Sequence, residues 1–180
     1  ESFIRYGIPY RIIGGTRFYD RKEIKDIIAY LRLLYQPNDS PGFSRIVNVP
    51  TRGLGAKSVD TFLAWQSQTS LSIVDALVSV DLCSGLTPRA RSAFRELGEA
   101  LTKLQQEMAS QSLAHMIELI IKRFDYLSFL DDGSPQAEDR QANVAELVSD
   151  AKERIDLDVP GYLEEISLRS EEHTSELQSH

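Results

Sequence analysis

Apolar residues recur at helical spacing along most of this 180-residue chain, and this periodicity constrains its fold more than any other feature. Ile24, Ile27, Ile28, Leu31 and Leu34 form the first series, and further series of the same kind follow. Apolar side chains three or four residues apart lie on one face of a helix, which then packs against a core. The chain is therefore predicted to be mainly α, with a helical bundle as its architecture.

Polar residues at the expected helix ends divide these series into separate helices. Asp20, followed three residues later by Glu23, resembles a capping box, and Thr87 with proline next to it predicts the start of the longest helix. Ser112 predicts another start, and the polar stretch 131–139 predicts a loop. Shorter apolar runs predict further helices over residues 43–47, 57–66, 73–80, 144–155 and 162–168.

The N-terminal residues have a different pattern. Ile8 to Ile13 is a compact apolar and aromatic run, which predicts a short β-strand. Gly14 and Gly15 follow it directly and predict a turn, because they can adopt backbone angles that a side chain would forbid. The stretch from Gly7 to Asp26 therefore predicts a strand, a turn and an amphipathic helix in succession.

The composition excludes several kinds of protein. No apolar run has the length of a membrane span and the N-terminus has no signal-peptide pattern, so the predicted location is cytoplasmic. A single cysteine, Cys83, cannot form an internal disulfide, and the three histidines have no metal-site spacing. The adjacent acid pairs and His115 have no catalytic partner that the sequence places near them. No catalytic residue and no metal ligand is therefore predicted.

The last twelve residues, RSEEHTSELQSH, are predicted to be a translated sequencing adapter. Arg169 to Ser179 back-translate in frame into a widely used adapter sequence, and a match of that length is improbable by chance. The alternative is a polar disordered tail. Under either interpretation, residues 169–180 carry no function.

Charge is unevenly distributed along the rest of the chain. Residues 1–57 contain ten Lys and Arg against five Asp and Glu, whereas residues 58–168 contain nine against nineteen. A basic segment on an acidic protein can form a nucleic-acid-binding face. Solvated helix charges would give the same counts, so charge alone leaves both interpretations open.

The best local candidate for a contact site is TRGLGAKS, residues 51–58. Two glycines around one apolar residue, directly before a helix, leave backbone N–H groups open to an anion such as phosphate. The segment lacks the adjacent Gly-Lys of a P-loop and the last glycine of a dinucleotide fingerprint. From the octapeptide alone, a helix start that needs glycine for its turn is the more frequent explanation. The predicted contact residues are Thr51, Arg52, Gly53, Leu54, Gly55, Lys57 and Ser58, with Leu54 anchoring the turn in the core.

Four sequence segments closely resemble the UvrD/PcrA/Rep group of superfamily-one DNA helicases and occur in the same order as in that group. They are IPYRIIGGTRF, DRKEIKD, AYLRLL and RIVNVPTRGLG. The resemblance is weaker through the middle, returns in DRQANVAELV and GYLEEISL, and ends at Leu168. It implies that residues 1–25 are the end of the α/β motor domain 2A, which contributes the short strand. It also implies that residues 26–168 are most of the inserted helical domain 2B.

The same resemblance implies a function. The whole protein would be an ATP-dependent 3'-to-5' DNA helicase of repair or replication. ATP and Mg would be bound by motor segments outside this chain, since no GxxxxGK[ST] occurs in it. This chain would bind duplex DNA at a duplex/single-strand junction through the Gly-Leu-Gly turn, and it would regulate the motor. Family members usually have isoleucine in place of Leu54. The residues implied near the hinge of 2B are Gly14, Gly15, Phe18 and Arg21.

Two other interpretations stay open. A helical protein-interaction module without DNA contact is favoured by the acidic region 58–168. The helicase subunit of a recombination helicase-nuclease shares the same architecture, and only flanking sequence distinguishes it. The helicase interpretations include repair proteins as partners.

Overall fold

The computed structural model describes the backbone of residues 17–178 and the side chains of residues 17–169. Within this range the chain forms α-helices joined by short loops, and no strand occurs there. The strand predicted over Ile8–Ile13 and the turn at Gly14 and Gly15 lie outside the described residues. The helices are α1 Lys22–Tyr35, α2 Ser40–Ile46, α3 Ala56–Ser67, α4 Ile73–Val78, α5 Pro88–Met108, α6 Leu113–Arg123, α7 Tyr126–Leu130, α8 Ala137–Glu153 and α9 Val159–Gln178, with 3-10 turns at Phe18–Asp20 and Val80–Leu82.

Helix α1 is the centre of the fold. It contacts α2, α5, α6, α8 and α9, and Ile24, Ile27 and Leu31 of the predicted stripe are completely buried. Each such side chain contributes about 1.5–3 kcal/mol when it is removed from water. Because neighbours cover more than one face of this helix, Tyr30 and Leu33 are also buried. The predicted apolar stripe is confirmed, and the buried surface is wider than the stripe.

The capping box predicted at the start of α1 is wrong. The N-cap residue is Arg21, which makes no side-chain cap, and Asp20 lies in the preceding 3-10 turn. Glu23 is buried instead, and its Oε2 accepts a hydrogen bond of 2.9 Å from Asn143 Nδ2 on α8. Asn143 is far away in sequence, so no local pattern could reveal this partner. Tertiary pairing here outweighs the local capping signal.

A second buried acid joins α1 to its neighbours. Asp26 Oδ2 accepts a hydrogen bond of 2.7 Å from the Tyr126 hydroxyl of α7, and its Oδ1 accepts one of 3.0 Å from Arg45 Nε of α2. Burial, together with the hydrogen bond to Asp26, raises the pKa of Tyr126. A buried carboxylate needs such partners, because an unpaired charge is costly away from water. Asp26 therefore specifies how α2 and α7 sit against α1.

Two other predicted helix starts are confirmed. The Thr87 side chain accepts a hydrogen bond of 3.1 Å from the Ala90 amide at the start of α5. Ser112 does the same for the amide of His115, at 3.2 Å, at the start of α6. Further along α5, a Cβ added to Gly98 would come within 2.7 Å of the Leu77 Cβ. Glycine at this position therefore allows α4 and α5 to pack closely.

Both predicted domain boundaries meet continuous helices. The boundary between residues 25 and 26 falls inside α1, and α9 continues past Leu168 to Gln178. A helical backbone does not reveal the origin of a sequence, so the adapter tail stays a prediction. In the part of the chain that is described, no helix is both long and apolar enough to cross a membrane.

Candidate nucleic-acid interface

Asn48 organises the loop that joins α2 to α3. Its Oδ1 accepts hydrogen bonds from the Leu54 amide at 3.0 Å and the Arg52 amide at 3.3 Å, and its Nδ2 donates to the Leu54 carbonyl. The Leu54 side chain is buried and belongs to the core, as an anchor requires. The sequence analysis missed Asn48. Its signal was an asparagine shortly before a glycine-containing turn, since asparagine side chains readily bond the backbone of turns.

The two glycines of the turn serve different purposes. Gly53 has φ of +74°, a left-handed conformation that disfavours any side chain. Gly55 has φ of −78° and ψ of 167°, which any residue adopts, and a Cβ added there would meet no atom within 4 Å. Gly53 is therefore required by the backbone, whereas Gly55 leaves open space next to the start of α3.

The first amides of α3 are available to a ligand. Gly55 is the N-cap residue and makes no side-chain cap, and the first amide bonded at this end is that of Val59, to the Gly55 carbonyl at 3.1 Å. Among the described residues, the amides of Ala56, Lys57 and Ser58 have no acceptor. Such groups at a helix start favour an anion.

One basic and two hydroxylated side chains lie close in sequence to these amides. Thr51 and Lys57 are exposed, and Ser58 is partly buried. Within the described part of the chain, no carboxylate lies within ion-pair distance of Lys57. The charge of Lys57 is therefore not neutralised by a carboxylate of the described residues.

Arg52 points into the protein. Its Nη1 donates to the carbonyls of Ile46 at 2.7 Å and Val47 at 3.1 Å, while Nη2 donates to the Tyr30 hydroxyl at 2.7 Å. The guanidinium carbon also lies 5.2 Å from the centre of the Phe124 ring. Burial raises the pKa of Tyr30 although the nearby Arg52 charge opposes this. Arg52 thus connects the turn to the end of α2, to α1 and to the residue that follows α6.

Of the remaining predicted residues, Phe18 and Arg21 lie at the start of the described chain, whereas Gly14 and Gly15 lie outside the described residues. Phe18 is buried edge-on against Tyr19, with ring centroids 5.3 Å apart, and Arg21 is exposed. The Tyr19 hydroxyl donates to Asp150 Oδ2 of α8 at 3.2 Å, and Asp150 also pairs with Arg154 at 3.3 Å. We call the group of Tyr19, Asp150, Arg154, Tyr162 and Glu165 the junction. It joins the start of the described chain to its last two helices.

The chemistry of the turn is that of a binding surface. Within the residues described, no group of three or more His, Cys, Asp or Glu side chains could hold a metal ion. Cys83 is buried as a free thiol and His115 is exposed on α6. The turn instead combines amide donors, a hydroxyl and a cation, the groups with which proteins bind phosphate.

Comparison with known proteins places the chain in a family. The sequence profile of the UvrD-like helicase C-terminal domain matches residues 1–179. The chain is 40% identical over 156 residues to the ATP-dependent DNA helicase PcrA of Bacillus subtilis, covering 84% of this chain and 21% of that protein. It is 37% identical over 158 residues to the ATP-dependent DNA helicase UvrD1 of Mycobacterium bovis, covering 85% and 20% respectively.

A third relative is the PcrA helicase of Leuconostoc citreum, 34% identical over 154 residues, with 85% of this chain and 21% of that protein covered. The chain therefore spans about a fifth of the length of these relatives. The resemblance to the UvrD/PcrA/Rep group is confirmed, and the chain belongs to the UvrD-like helicase C-terminal domain family.

Proposed function

We propose that this chain is the duplex-binding part of an ATP-dependent DNA helicase that unwinds DNA in the 3'-to-5' direction in repair or replication. Family membership supports this proposal, as do the names of relatives such as PcrA and UvrD1. ATP and Mg would be bound by segments of the whole protein outside this chain. Repair proteins would be its further partners.

The proposed contact is between the Gly-Leu-Gly turn and the phosphate backbone at a duplex/single-strand junction. The observation that carries it is the coincidence, among the described residues, of three amides without an acceptor at the start of α3, the open space at Gly55 and a Lys57 without an ion-pair partner. Gly55 would let the backbone approach, the amides would bind a phosphate oxygen, and Lys57 would neutralise its charge. Such contacts position the duplex without reading its sequence.

The predicted site residues would divide into two groups. Gly53, Gly55, Lys57, Thr51 and Ser58 would form the face that meets the DNA. Arg52 and Leu54 would hold that face in place from the protein interior, since the Arg52 guanidinium donates to protein acceptors and Leu54 is buried. Arg52 would then act on DNA binding through the turn as a positioning residue.

The hinge assignment remains part of the proposal. Gly14, Gly15, Phe18 and Arg21 would absorb a rotation of this domain against the motor, and the rotation would regulate unwinding. The position of Phe18 and Arg21 directly before α1 supports this, because α1 is the helix around which the other helices pack. A hinge there would move the bundle as one body.

The test uses the full 180-residue chain and a fluorescent DNA duplex with a 3' single-stranded extension. Binding is titrated between 50 and 200 mM salt by anisotropy, and log K is plotted against log salt. Gly55→Val should weaken binding strongly, since its added side chain occupies open space without straining the backbone. Lys57→Ala should reduce the slope by about 0.9, the value for one phosphate contact on duplex DNA.

Lys103→Ala is the matched control, because Lys103 is also an exposed lysine on a helix and lies on α5. Its slope should equal that of the parent chain. Parent-like binding by both Gly55→Val and Lys57→Ala would refute the phosphate-turn proposal. It would favour the helical protein-interaction module.

A further inference from the structure

An open groove lies between α6 and α8, which pack against each other. Its volume is about 720 Å³, and residues of both helices and of α7 line it. None of the described residues that line it belongs to the Gly-Leu-Gly turn, to the predicted hinge or to the junction. The groove is therefore a separate surface of the domain.

Small and apolar side chains line most of the groove. Ala145 and Ser149 of α8 are exposed there, and Val148 is only partly buried. Leu127 of α7 contributes a large side chain that is 42% exposed, and Gln141 Nε2 of α8 donates to the Leu127 carbonyl at 3.1 Å. The side chains at a contact set the distance between two helix axes, so small ones let a further helix approach closely.

The groove follows the axis of α8. Its lining residues on that helix recur every three or four positions from Gln141 to Lys152, so they share one face. These two residues are 11 positions apart, which corresponds to about 16 Å, or about three turns, at the rise of an α-helix. A partner helix of about three turns would fit along the groove, with side chains at helical spacing pointing into it.

The charged residues at the edge of the groove indicate the kind of helix that it fits. They are Glu118, Lys122 and Lys152. The Glu118 carboxylate lies 3.9 Å from the Lys152 ammonium group, whereas Lys122 has no ion-pair partner within 4.0 Å among the described residues. The edge therefore has one unmatched positive charge, although acidic residues outnumber basic ones by nineteen to nine over residues 58–168. An acidic side chain on the occupant would complement that charge.

We propose that the α6–α8 groove binds an amphipathic helix of a partner protein, with its apolar face against Leu127 and Ala145 and an acidic side chain against Lys122. Helices bind apolar grooves through side chains repeated at helical spacing, and complementary charge at the edge selects the partner. This inference goes beyond the proposed function, because the groove shares no described residue with the phosphate-binding turn. The domain would then have a protein-binding surface in addition to its DNA-binding one.

The experiment uses the full 180-residue chain and three fluorescent synthetic peptides of about 15 residues, long enough for three helical turns. The first peptide has leucines on one helical face and glutamates beside them. The second has lysine in place of each glutamate, and the third has the composition of the first in scrambled order. Anisotropy should show that the parent chain binds the glutamate peptide about tenfold more tightly than the scrambled one, and also more tightly than the lysine one.

Variants of the groove test the two contacts. Ala145→Arg should weaken binding of the glutamate peptide about tenfold, because its long side chain fills the groove. Ala64→Arg is the matched control, since Ala64 is also an exposed alanine within a helix but does not line the groove. Lys122→Glu should reverse the preference, so that the lysine peptide binds more tightly than the glutamate peptide. The thermal midpoint of each variant verifies that the fold is intact.

Several outcomes would overturn the inference. Equal binding of the glutamate and scrambled peptides would refute a helix-binding groove, and equal binding by Ala145→Arg and Ala64→Arg would refute its location. An unchanged preference in Lys122→Glu would refute the charge contact. Self-association of the parent chain that Ala145→Arg abolishes, measured by sedimentation equilibrium, would identify a second copy as the occupant instead. Binding of the tailed duplex should be unchanged in Ala145→Arg, so this inference and the proposed function fail separately.

Discussion

The turn of residues 48–58 and the junction both contain basic side chains but use them in different ways. At the junction, Arg154 pairs with both Asp150 and Glu165, and Asp150 also accepts the Tyr19 hydroxyl. At the turn, Lys57 has no ion-pair partner within 4.0 Å among the described residues. Charges that are paired are occupied by partners within the fold, whereas unpaired ones remain available to a ligand. The difference is in the partners, since the junction contains two carboxylates and residues 48–58 contain none.

The turn itself contains both situations within six residues. Arg52 is bonded to the carbonyls of Ile46 and Val47 and to Tyr30, while Lys57 extends into solvent. Two basic side chains that look equivalent in the sequence therefore have separate roles. Arg52 holds the turn from the protein interior, and Lys57 lies on its solvent-exposed face. Variants at the turn and at the junction test this distinction.

The largest effect should come from the anchor of the turn. Leu54→Ala should lower the free energy of unfolding by about 2–5 kcal/mol, because it removes a buried side chain and leaves a cavity. Urea denaturation measures this change. The control is Leu127→Ala at an exposed leucine, where the change should stay within about 0.5 kcal/mol. Equal small losses for both variants would show that Leu54 does not anchor the turn.

The next largest effect should be a difference in stability between the Arg52→Ala and Lys57→Ala variants. Arg52→Ala should destabilise the chain by about 1–3 kcal/mol, since it removes the donor of the Val47 carbonyl and one of the two donors of the Ile46 carbonyl, which the Val49 amide still bonds. Lys57→Ala should change the unfolding free energy by less than about 0.5 kcal/mol. Both are measured by urea denaturation at the same salt concentration. If the two variants lost equal stability, the division between inner and open faces would be wrong.

The junction should respond to alkaline pH. Burial, with the nearby Asp150 carboxylate, raises the pKa of Tyr19 to about 12. The folded state therefore keeps this proton when the unfolded state loses it near pH 10, so the contribution is complete below pH 10 and declines as pH rises. By pH 11 the expected loss is about 1.4 kcal/mol.

Tyr19→Phe tests this effect by removing the ionisable group. Its unfolding free energy, measured in urea at pH 9 and pH 11, should fall less between those values than that of the parent chain. The control is Tyr35→Phe, at a tyrosine that is 46% exposed, and it should follow the parent chain. A Tyr19→Phe variant with the parent pH dependence would contradict a protonated, buried Tyr19.

Local patterns predicted the parts of the fold that depend on near neighbours. The stripe of Ile24, Ile27 and Leu31 marked the core face of α1, and the caps at Thr87 and Ser112 marked two helix starts correctly. These signals act within a turn or two of helix, so the sequence contains them completely. The cap expected at Asp20 failed because Glu23 bonds Asn143, which the sequence places 120 residues away.

The candidate site was found from the sequence only in part. The glycine turn was visible as a motif, and Leu54 was expected to be its buried anchor. Asn48 was overlooked, although it bonds the turn over a separation of only six residues. That Arg89 lies beside Gly53 could not be predicted at all, because 36 residues separate the two in the sequence.

The sequence by itself determined the helical periodicity, the family and the glycine turn, because each depends on residues close together in the chain. Only the tertiary structure decided which basic residues serve the fold and which remain open to a ligand. Arg52 is bonded inside, Arg154 is neutralised at the junction, and Lys57 has no ion-pair partner among the described residues. The physical reason is that the role of a charge depends on the acceptors within a few ångströms of it. Chain packing sets those distances.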